Sequence, residues 1–442
     1  MKKLKLVMIG NGMAGVRTLE ELLKLAPELY DITVFGPNPS ELQPHPALTR
    51  VGWRTDIRRD RAERSRLVRR TQHPPDAQSQ GRRDRRAKRR VIAADGSEAE
   101  YDRLLIATGS NPFILPIPGN QLDGVIGYRD IADTTAMMDA ARTHKHAVVI
   151  GGGLLGLEAA NGLKLRGMEV TVVHIGDWPM ERQLDKTAGT LLQQALEARG
   201  LAFRMQKQTA ELIGNDQGRV QAVRFADNEA IDADLVVMAA GIRPKSELAA
   251  NAGIPCDRGI LVNDTLQTYD PRIYAVGECA NHRGTAYGLV PPLFEQAEVC
   301  ANHLAMLGFS RYLGSVTSTK LKVTGIDLFS AGDFMGGEGT ETITFSDPIG
   351  SVYKKLVIKD DILVGACLYG DTADAGWYFR QICAHREVAR IRDYLMFGPA
   401  SYGEPAIDDA GPQHRGKSAQ RLPTPASWMG RPSFTSQPGA TA

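Results

Sequence analysis

Cysteine is scarce in this chain and badly placed for side-chain redox work. Five occur among 442 residues, at Cys256, Cys279, Cys300, Cys367 and Cys383, with no C-x-x-C pair. That spacing excludes a redox-active dithiol in the N-terminal half and any iron–sulfur constellation, leaving scattered free thiols in a reducing compartment. No apolar run reaches the roughly 18–20 residues that a membrane span needs. A cleaved leader is also not expected, because Met1-Lys2-Lys3 runs straight into an apolar strand bearing a motif that cleavage would destroy. A cytoplasmic setting follows as the expectation. Charge of one sign is missing too: 53 Lys+Arg face 51 Asp+Glu, for a formal net charge of +2. With 43% hydrophobic and 24% charged residues, the composition is that of a globular protein large enough for two or three domains.

What is present is glycine in two telling places. Gly10-Asn11-Gly12-Met13-Ala14-Gly15 follows the apolar run 4–9, and Gly151-Gly152-Gly153-Leu154-Leu155-Gly156 follows the run 147–150. Each sits where a buried strand would turn tightly into a helix. In such a turn the first glycine permits the bend and the second lets backbone approach a pyrophosphate. The third allows helix and strand to pack closely, while the helix N-terminus offers free N–H groups to the anion. One such motif is equally compatible with a structural βα turn. Two in this context point to two dinucleotides in one chain, a flavin and a nicotinamide coupled by electron transfer.

Further along, residues 13–25 read as a helix with Leu19, Leu22 and Leu23 on its apolar face, and 32–35 as the next strand. Residues 91–101 read as a hairpin turning at Asp95-Gly96, leading into a buried strand that ends at Ala107-Thr108-Gly109. Prolines 112, 116 and 118 mark a crossing between domains. The second unit has a helix over 154–165 and a strand over 169–173 that ends at His174. Strands follow at 220–225, 235–239 (entering Ala240-Gly241-Ile242-Arg243-Pro244) and 273–276 (ending Gly277-Glu278-Cys279-Ala280). A helix opens at Pro291-Pro292 and runs to about residue 307. From about residue 317 strands dominate, at 321–323, 328–331, 342–345, 353–358 and 362–368, with a hairpin turn at Lys359-Asp360-Asp361 and a helix over 377–386. Beyond residue 411 the chain is rich in Pro, Ser, Gly and Arg and lacks any period, so residues 401–442 are expected to be a disordered tail.

Residues 38–90 break the pattern. Fifteen arginines lie from Arg50 to Arg90, with few large apolar residues and no helical or strand period. Arginine clusters neutralise phosphates, so a nucleic-acid-binding arm is one reading, although the aromatic interleaving of a single-strand binder is missing. A solvated insertion is another. The preferred reading is a compensated frameshift in a GC-rich gene, since the segment interrupts a domain where strands and flavin contacts belong.

In chain order the first fingerprint, Ala107-Thr108-Gly109, the second fingerprint and Ala275-Val276-Gly277-Glu278 resemble the pyridine nucleotide–disulfide oxidoreductases. Within that superfamily the chain is most similar to the NAD(P)H-oxidising flavin module of the assimilatory nitrite reductase large subunit. Residues that carry this resemblance include Met180-Glu181-Arg182-Gln183-Leu184-Asp185, Val276-Gly277-Glu278-Cys279 and Ser318-Thr319-Lys320-Leu321-Lys322-Val323-Thr324-Gly325. It covers about residues 1–37 and 91–410, and rubredoxin reductases share most of the architecture.

The resemblance implies an α/β fold of two Rossmann-like dinucleotide-binding domains, for FAD and for NAD(P)H, plus a small C-terminal α+β domain. The expected boundaries are 1–115 with 240–316 for FAD, 116–239 for NAD(P)H and 317–400 for the C-terminal domain. Gly10, Gly12, Ala14 and Gly15 would hold the FAD pyrophosphate, Thr108 and Gly109 would pass close to FAD, and Gly277-Glu278 would bind the ribityl chain. Glu295 would lie near the isoalloxazine. Gly151, Gly153, Leu155 and Gly156 would hold the NAD(P)H pyrophosphate, with Gly241 at the next strand end and Glu158 near the nicotinamide ribose. For Glu158 a solvated helix carboxylate, and for Glu278 a loop carboxylate, are the plain alternatives.

The implied reaction is hydride transfer from NAD(P)H to FAD and onward passage of electrons, with no side-chain nucleophile required. The implied partners are NAD(P)H and a downstream acceptor, either an iron–sulfur/sirohaem module or a small redox protein. No membrane is implied, and a homodimer is left open. Three departures stand out. Gly36-Pro37-Asn38-Pro39 stands where the resemblance implies an acidic residue for the FAD ribose, and the arginine-rich run replaces the segment that should contact the flavin. The chain also stops before iron–sulfur and sirohaem domains, so it is expected not to reduce nitrite by itself. The alternatives are a stand-alone rubredoxin- or ferredoxin-type NAD(P)H reductase and a nucleic-acid-binding protein with vestigial folds. His174 stands where an acid would favour NADH. A histidine there tolerates a 2′-phosphate or is a plain loop residue, so NADH versus NADPH stays open.

Overall fold

Two parallel sheets and one antiparallel sheet organise the chain. The computed structural model describes residues 2–36, 89–93, 96–323 and 325–402. The arginine-rich stretch, apart from Arg89 and Arg90, and the tail after 402 lie outside the described residues, as does Asp95 of the hairpin turn.

The first sheet has four parallel strands in the order Ile273–Ala275, Arg103–Ile106, Leu4–Ile9, Tyr30–Phe35. The second has five, in the order Ala202–Arg204, Glu169–Val173, His146–Ile150, Leu235–Met238, Val125–Gly127. Strands of parallel sheets are covered on both faces, which is why they read as unbroken apolar runs; all four residues of Leu235–Met238 are buried. In both sheets the strand before the fingerprint has its sequence successor on one side and a much later strand on the other. That reversal is the topological switch point at which open α/β sheets bind ligands.

The helix Met13–Leu25 has the expected bounds. Its deeply buried stripe is Ala14, Gly15, Thr18 and Leu22, whereas Leu19 packs at the edge of the core and Leu23 is half-buried. Small residues line the stripe because the helix Val290–Leu304 packs directly against it. That second helix ends three residues earlier than the sequence suggests, where Met306 turns left-handed at φ 61°. The strands Arg90–Ile92 and Glu98–Glu100 pair antiparallel, as the hairpin reading requires.

The C-terminal sheet runs in the order Ser318–Val323, Ile326–Gly332, Ile362–Tyr369, Val352–Lys359, Glu341–Asp347, all antiparallel. Asp360 and Asp361 make its tight turn with φ of 50° and 57°, a conformation that suits Asp. The following helix, Ala375–Ala384, stops where His385 takes φ 49°. Ile326, Leu328, Tyr353, Cys367 and Tyr369 of this sheet share one apolar core with the second parallel sheet. Tyr353 Oη donates to Asp185 Oδ2 at 2.7 Å across that seam. No helix among the described residues is long and apolar enough to cross a membrane.

Candidate functional site

The two fingerprints are built alike down to single atoms. Gly10 has φ 96°, and a Cβ on it would lie 2.1 Å from Ala107 O; Gly151 has φ 123°, and a Cβ there would lie 2.3 Å from Ala239 O. In each case the turn is pressed against the end of the neighbouring strand, so only glycine fits. At the third glycine the helix closes on its own strand. A Cβ on Gly156 would fall 1.9 Å from Gly151 O, and one on Gly15 would meet Ala107 Cβ and Met8 Sδ at 2.9 Å.

The middle glycines differ from both. A Cβ on Gly12 or on Gly153 would meet nothing within 4 Å. Both are helix N-caps, and neither helix has a side-chain cap. The first N–H groups of each helix are therefore left for an external acceptor, and the approach to them is open. This is the cradle that a dinucleotide pyrophosphate needs, and the residues present fit FAD and NAD(P)H. Ala14 is buried behind the first cradle at 8% exposure, while Leu155 is 40% exposed at the mouth of the second.

Around the first cradle, Thr108 Oγ1 donates to Lys245 O at 2.7 Å, and Gly109 turns at φ 69° with open space over its Cα. Gly109 O accepts from Lys245 N and Gly241 O accepts from Phe113 N, both at 2.8 Å. The two short strands Ser110–Pro112 and Ile242–Pro244 pair antiparallel beside them. The chain thus crosses twice between the two parallel sheets, and Gly109 and Gly241 occupy equivalent places at the exits.

Gly277 also turns left-handed, at φ 87°, with Ala14 Cβ 2.9 Å from where its own Cβ would be. Its N–H donates to Gln296 Oε1 at 2.9 Å. Glu278 follows this turn, and its Oε2 accepts from Ser110 Oγ at 2.6 Å and pairs with Arg129. Glu295 lies in the second turn of its helix, exposed, with Oε2 accepting from Ser315 Oγ at 2.6 Å.

At the second cradle Glu158 reaches solvent, yet desolvation by its neighbours raises its carboxyl above the ordinary value. The phenol of Tyr128 is raised too, first by burial and then by the Glu158 charge.

Ser110, Tyr128 and Arg129 were not singled out by sequence reasoning. The capping box Asp130–Asp133 that opens the helix Ile131–Thr143 was the available signal for the Tyr128-Arg129 turn. All five cysteines are free.

Residues 4–302 match the pyridine nucleotide-disulphide oxidoreductase family, and residues 318–384 match the rubredoxin NAD+ reductase C-terminal domain. The chain is 46% identical to the nitrite reductase [NAD(P)H] of Bacillus subtilis, across 91% of this chain and 50% of that protein. It is 42% identical to the assimilatory nitrate reductase electron transfer subunit of the same organism, across 90% of this chain and 51% of that one. It therefore spans about half the length of the curated relatives it matches. Among solved structures, the covalent putidaredoxin reductase–putidaredoxin complex superposes with a TM-score of 0.74 at 25% identity, covering 88% of this chain and 94% of the other. The chain belongs to the pyridine nucleotide-disulphide oxidoreductase family, as an FAD-dependent NAD(P)H oxidoreductase.

Proposed function

We propose that this chain is the electron-input half of a nitrite-reducing enzyme. The observation that carries the two-cofactor reading is the duplicated cradle, with open space at Gly12 and Gly153 over two uncapped helix N-termini. The nitrite assignment rests on the two relatives named above, each matched across nine-tenths of this chain. The stand-alone rubredoxin- or ferredoxin-type reductase is the less favoured reading, because the solved reductase shares fewer identities.

FAD is assigned to the first cradle and NAD(P)H to the second, on units of 1–115 with 240–316 and of 116–239. When bound, the cofactors supply hydride transfer from nicotinamide to flavin and release of electrons to the acceptor. The chain's own groups bind and orient. Gly10, Gly12 and Gly15 bring the first helix N-terminus to the FAD pyrophosphate, and Gly151, Gly153 and Gly156 do the same for NAD(P)H. Glu278, with Ser110 and Arg129 beside it, accepts hydroxyl hydrogen bonds from the ribityl chain. Thr108, Gly109 and Gly241 set the two strand exits, while Glu158, with Tyr128, borders the nicotinamide ribose. Glu295 lies at the isoalloxazine end, and Leu155 covers the second cradle.

Purified chain is expected to carry flavin absorbance and to reduce ferricyanide with NADH or NADPH. It is expected to form no ammonia from nitrite until the remainder of the enzyme is supplied. Ammonia formation by the chain alone refutes the division of labour, and absence of flavin after reconstitution with FAD refutes the cofactor assignment.

A further inference from the structure

The strand Glu169–Val173 ends at His174 instead of an acid, and the structure brings an acid there from seven residues further on. Gly152 N–H donates to His174 Nδ1 at 3.1 Å. A backbone N–H can only donate, so Nδ1 is the acceptor nitrogen and Nε2 carries the proton. Nε2 lies 3.1 Å from Glu181 Oε2 and donates to it. The fingerprint backbone, the imidazole and the carboxylate therefore form one chain, in which the His174 side chain is 11% exposed and that of Glu181 38%.

The turn that delivers Glu181 is specific. Met180, buried at 1%, takes φ 57°, a costly conformation for a residue with a Cβ. Its N–H donates to Gly152 O at 2.9 Å, tying the turn to the fingerprint. Gly176 makes the room, since a Cβ on it would fall 1.7 Å from Glu181 Oε2.

We propose that Glu181 makes this chain selective for NADH over NADPH. Its carboxylate accepts hydrogen bonds from the adenosine ribose hydroxyls and repels a 2′-phosphate. The proposal rests on the second fingerprint being the pyridine-nucleotide cradle. Neighbouring groups do not offset the carboxylate. Lys207 Nζ is bonded to Asp227 and, at 2.6 Å, to Glu229, which also lies 3.5 Å from Arg204. Arg182 lines a cavity with Thr285, Tyr287 and Phe334. Asp177, on the same loop, adds a second carboxylate that accepts from Gln206 at 2.6 Å. An imidazole whose Nδ1 already accepts a hydrogen bond lacks the second N–H that a phosphate would use.

NAD+ and NADP+ differ only by the 2′-phosphate and undergo no turnover on the oxidised protein. Isothermal titration of the full chain with each therefore reads the subsite directly. Wild type is expected to bind NAD+ about tenfold or more tightly than NADP+, since like charges juxtaposed at an interface are strongly disfavoured. Glu181→Gln keeps an oxygen to accept from His174 and removes the charge; it is expected to narrow the ratio by about tenfold. Glu181→Arg is expected to invert the preference. Far-UV circular dichroism matching wild type shows that each variant is folded. Equal or tighter NADP+ binding by wild type, or an unchanged ratio in folded Glu181→Gln, overturns the selectivity while leaving the cradle assignment standing. Failure of both nucleotides to bind folded wild type overturns the cradle assignment and this proposal with it.

Discussion

Replacing Gly153 or Gly156 with alanine adds the same methyl group three residues apart, and the two changes are expected to damage different properties. On Gly156 the new carbon would lie 1.9 Å from Gly151 O, so the helix Leu154–Lys164 would have to retreat from its strand by more than an ångström. Overpacking of that kind costs about 3 kcal/mol or more. The better helix propensity of alanine returns about 1 kcal/mol, leaving a net loss of about 2 kcal/mol. For a unit of this size that corresponds to a fall in melting temperature on the order of 5 °C. Gly153 sits at φ −81° and ψ −177°, which alanine adopts freely, and its methyl group would meet nothing within 4 Å. Gly153→Ala is therefore expected to unfold within about 1 kcal/mol of wild type, the ordinary cost of alanine at an N-cap. The methyl group would instead stand in the approach to the helix N-terminus, lowering NAD+ affinity at least about tenfold. Thermal unfolding without nucleotide and titration with NAD+ separate the two effects. A Gly156→Ala protein as stable as wild type, or a Gly153→Ala protein that binds NAD+ as tightly, refutes the packing reasoning.

Other substitutions probe the rest of the molecule. Glu278→Gln removes the charge paired with Arg129 and is expected to lower FAD retention roughly tenfold or more, measured as flavin absorbance after gel filtration. Tyr353→Phe leaves a largely buried Asp185 oxygen without its 2.7 Å donor. The expected loss is about 1–2 kcal/mol, with faster hydrogen exchange along Val352–Lys359. Arg283 and His282 donate to Asp264 and hold its carboxyl down at about 2. Since that value lies below the unfolded one, the stabilisation is complete above about pH 4 and is lost as the pH falls towards 2. Asp264→Asn is expected to melt below wild type near neutral pH and to converge with it in acid; parallel melting curves at every pH would exclude the ion pair as a contributor.

The first parallel sheet and the central strands of the second were legible in the sequence because each strand there is an apolar run and each fingerprint is contiguous. The edge strands Val125–Gly127 and Ala202–Arg204, by contrast, are three residues long, partly exposed and carry no such run. The helix Met13–Leu25 and the strands Glu169–Val173 and Val220–Phe225 have the bounds that their residues suggest. The helices Ile131–Thr143 and Lys186–Glu197 lie where no element is expected from the sequence. The first buries only Met137 and Ala140 and shows little amphipathic stripe, whereas the second carries both the cap Asp185 and a buried stripe of Ala188, Gly189, Leu192 and Leu196, a signal its residues did offer.

By itself the sequence determined that the chain has two glycine turns between a buried strand and a helix, and with them the class of chemistry to expect. Those signals are local, and neighbouring residues suffice to create them. Only the tertiary structure decided what surrounds each turn. Glu278 meets Ser110 and Arg129 from 168 and 149 residues away, and Glu181 reaches His174 only because Met180 turns left-handed. No periodicity or short motif encodes such meetings, since they arise when separate elements pack and a single backbone angle redirects the chain.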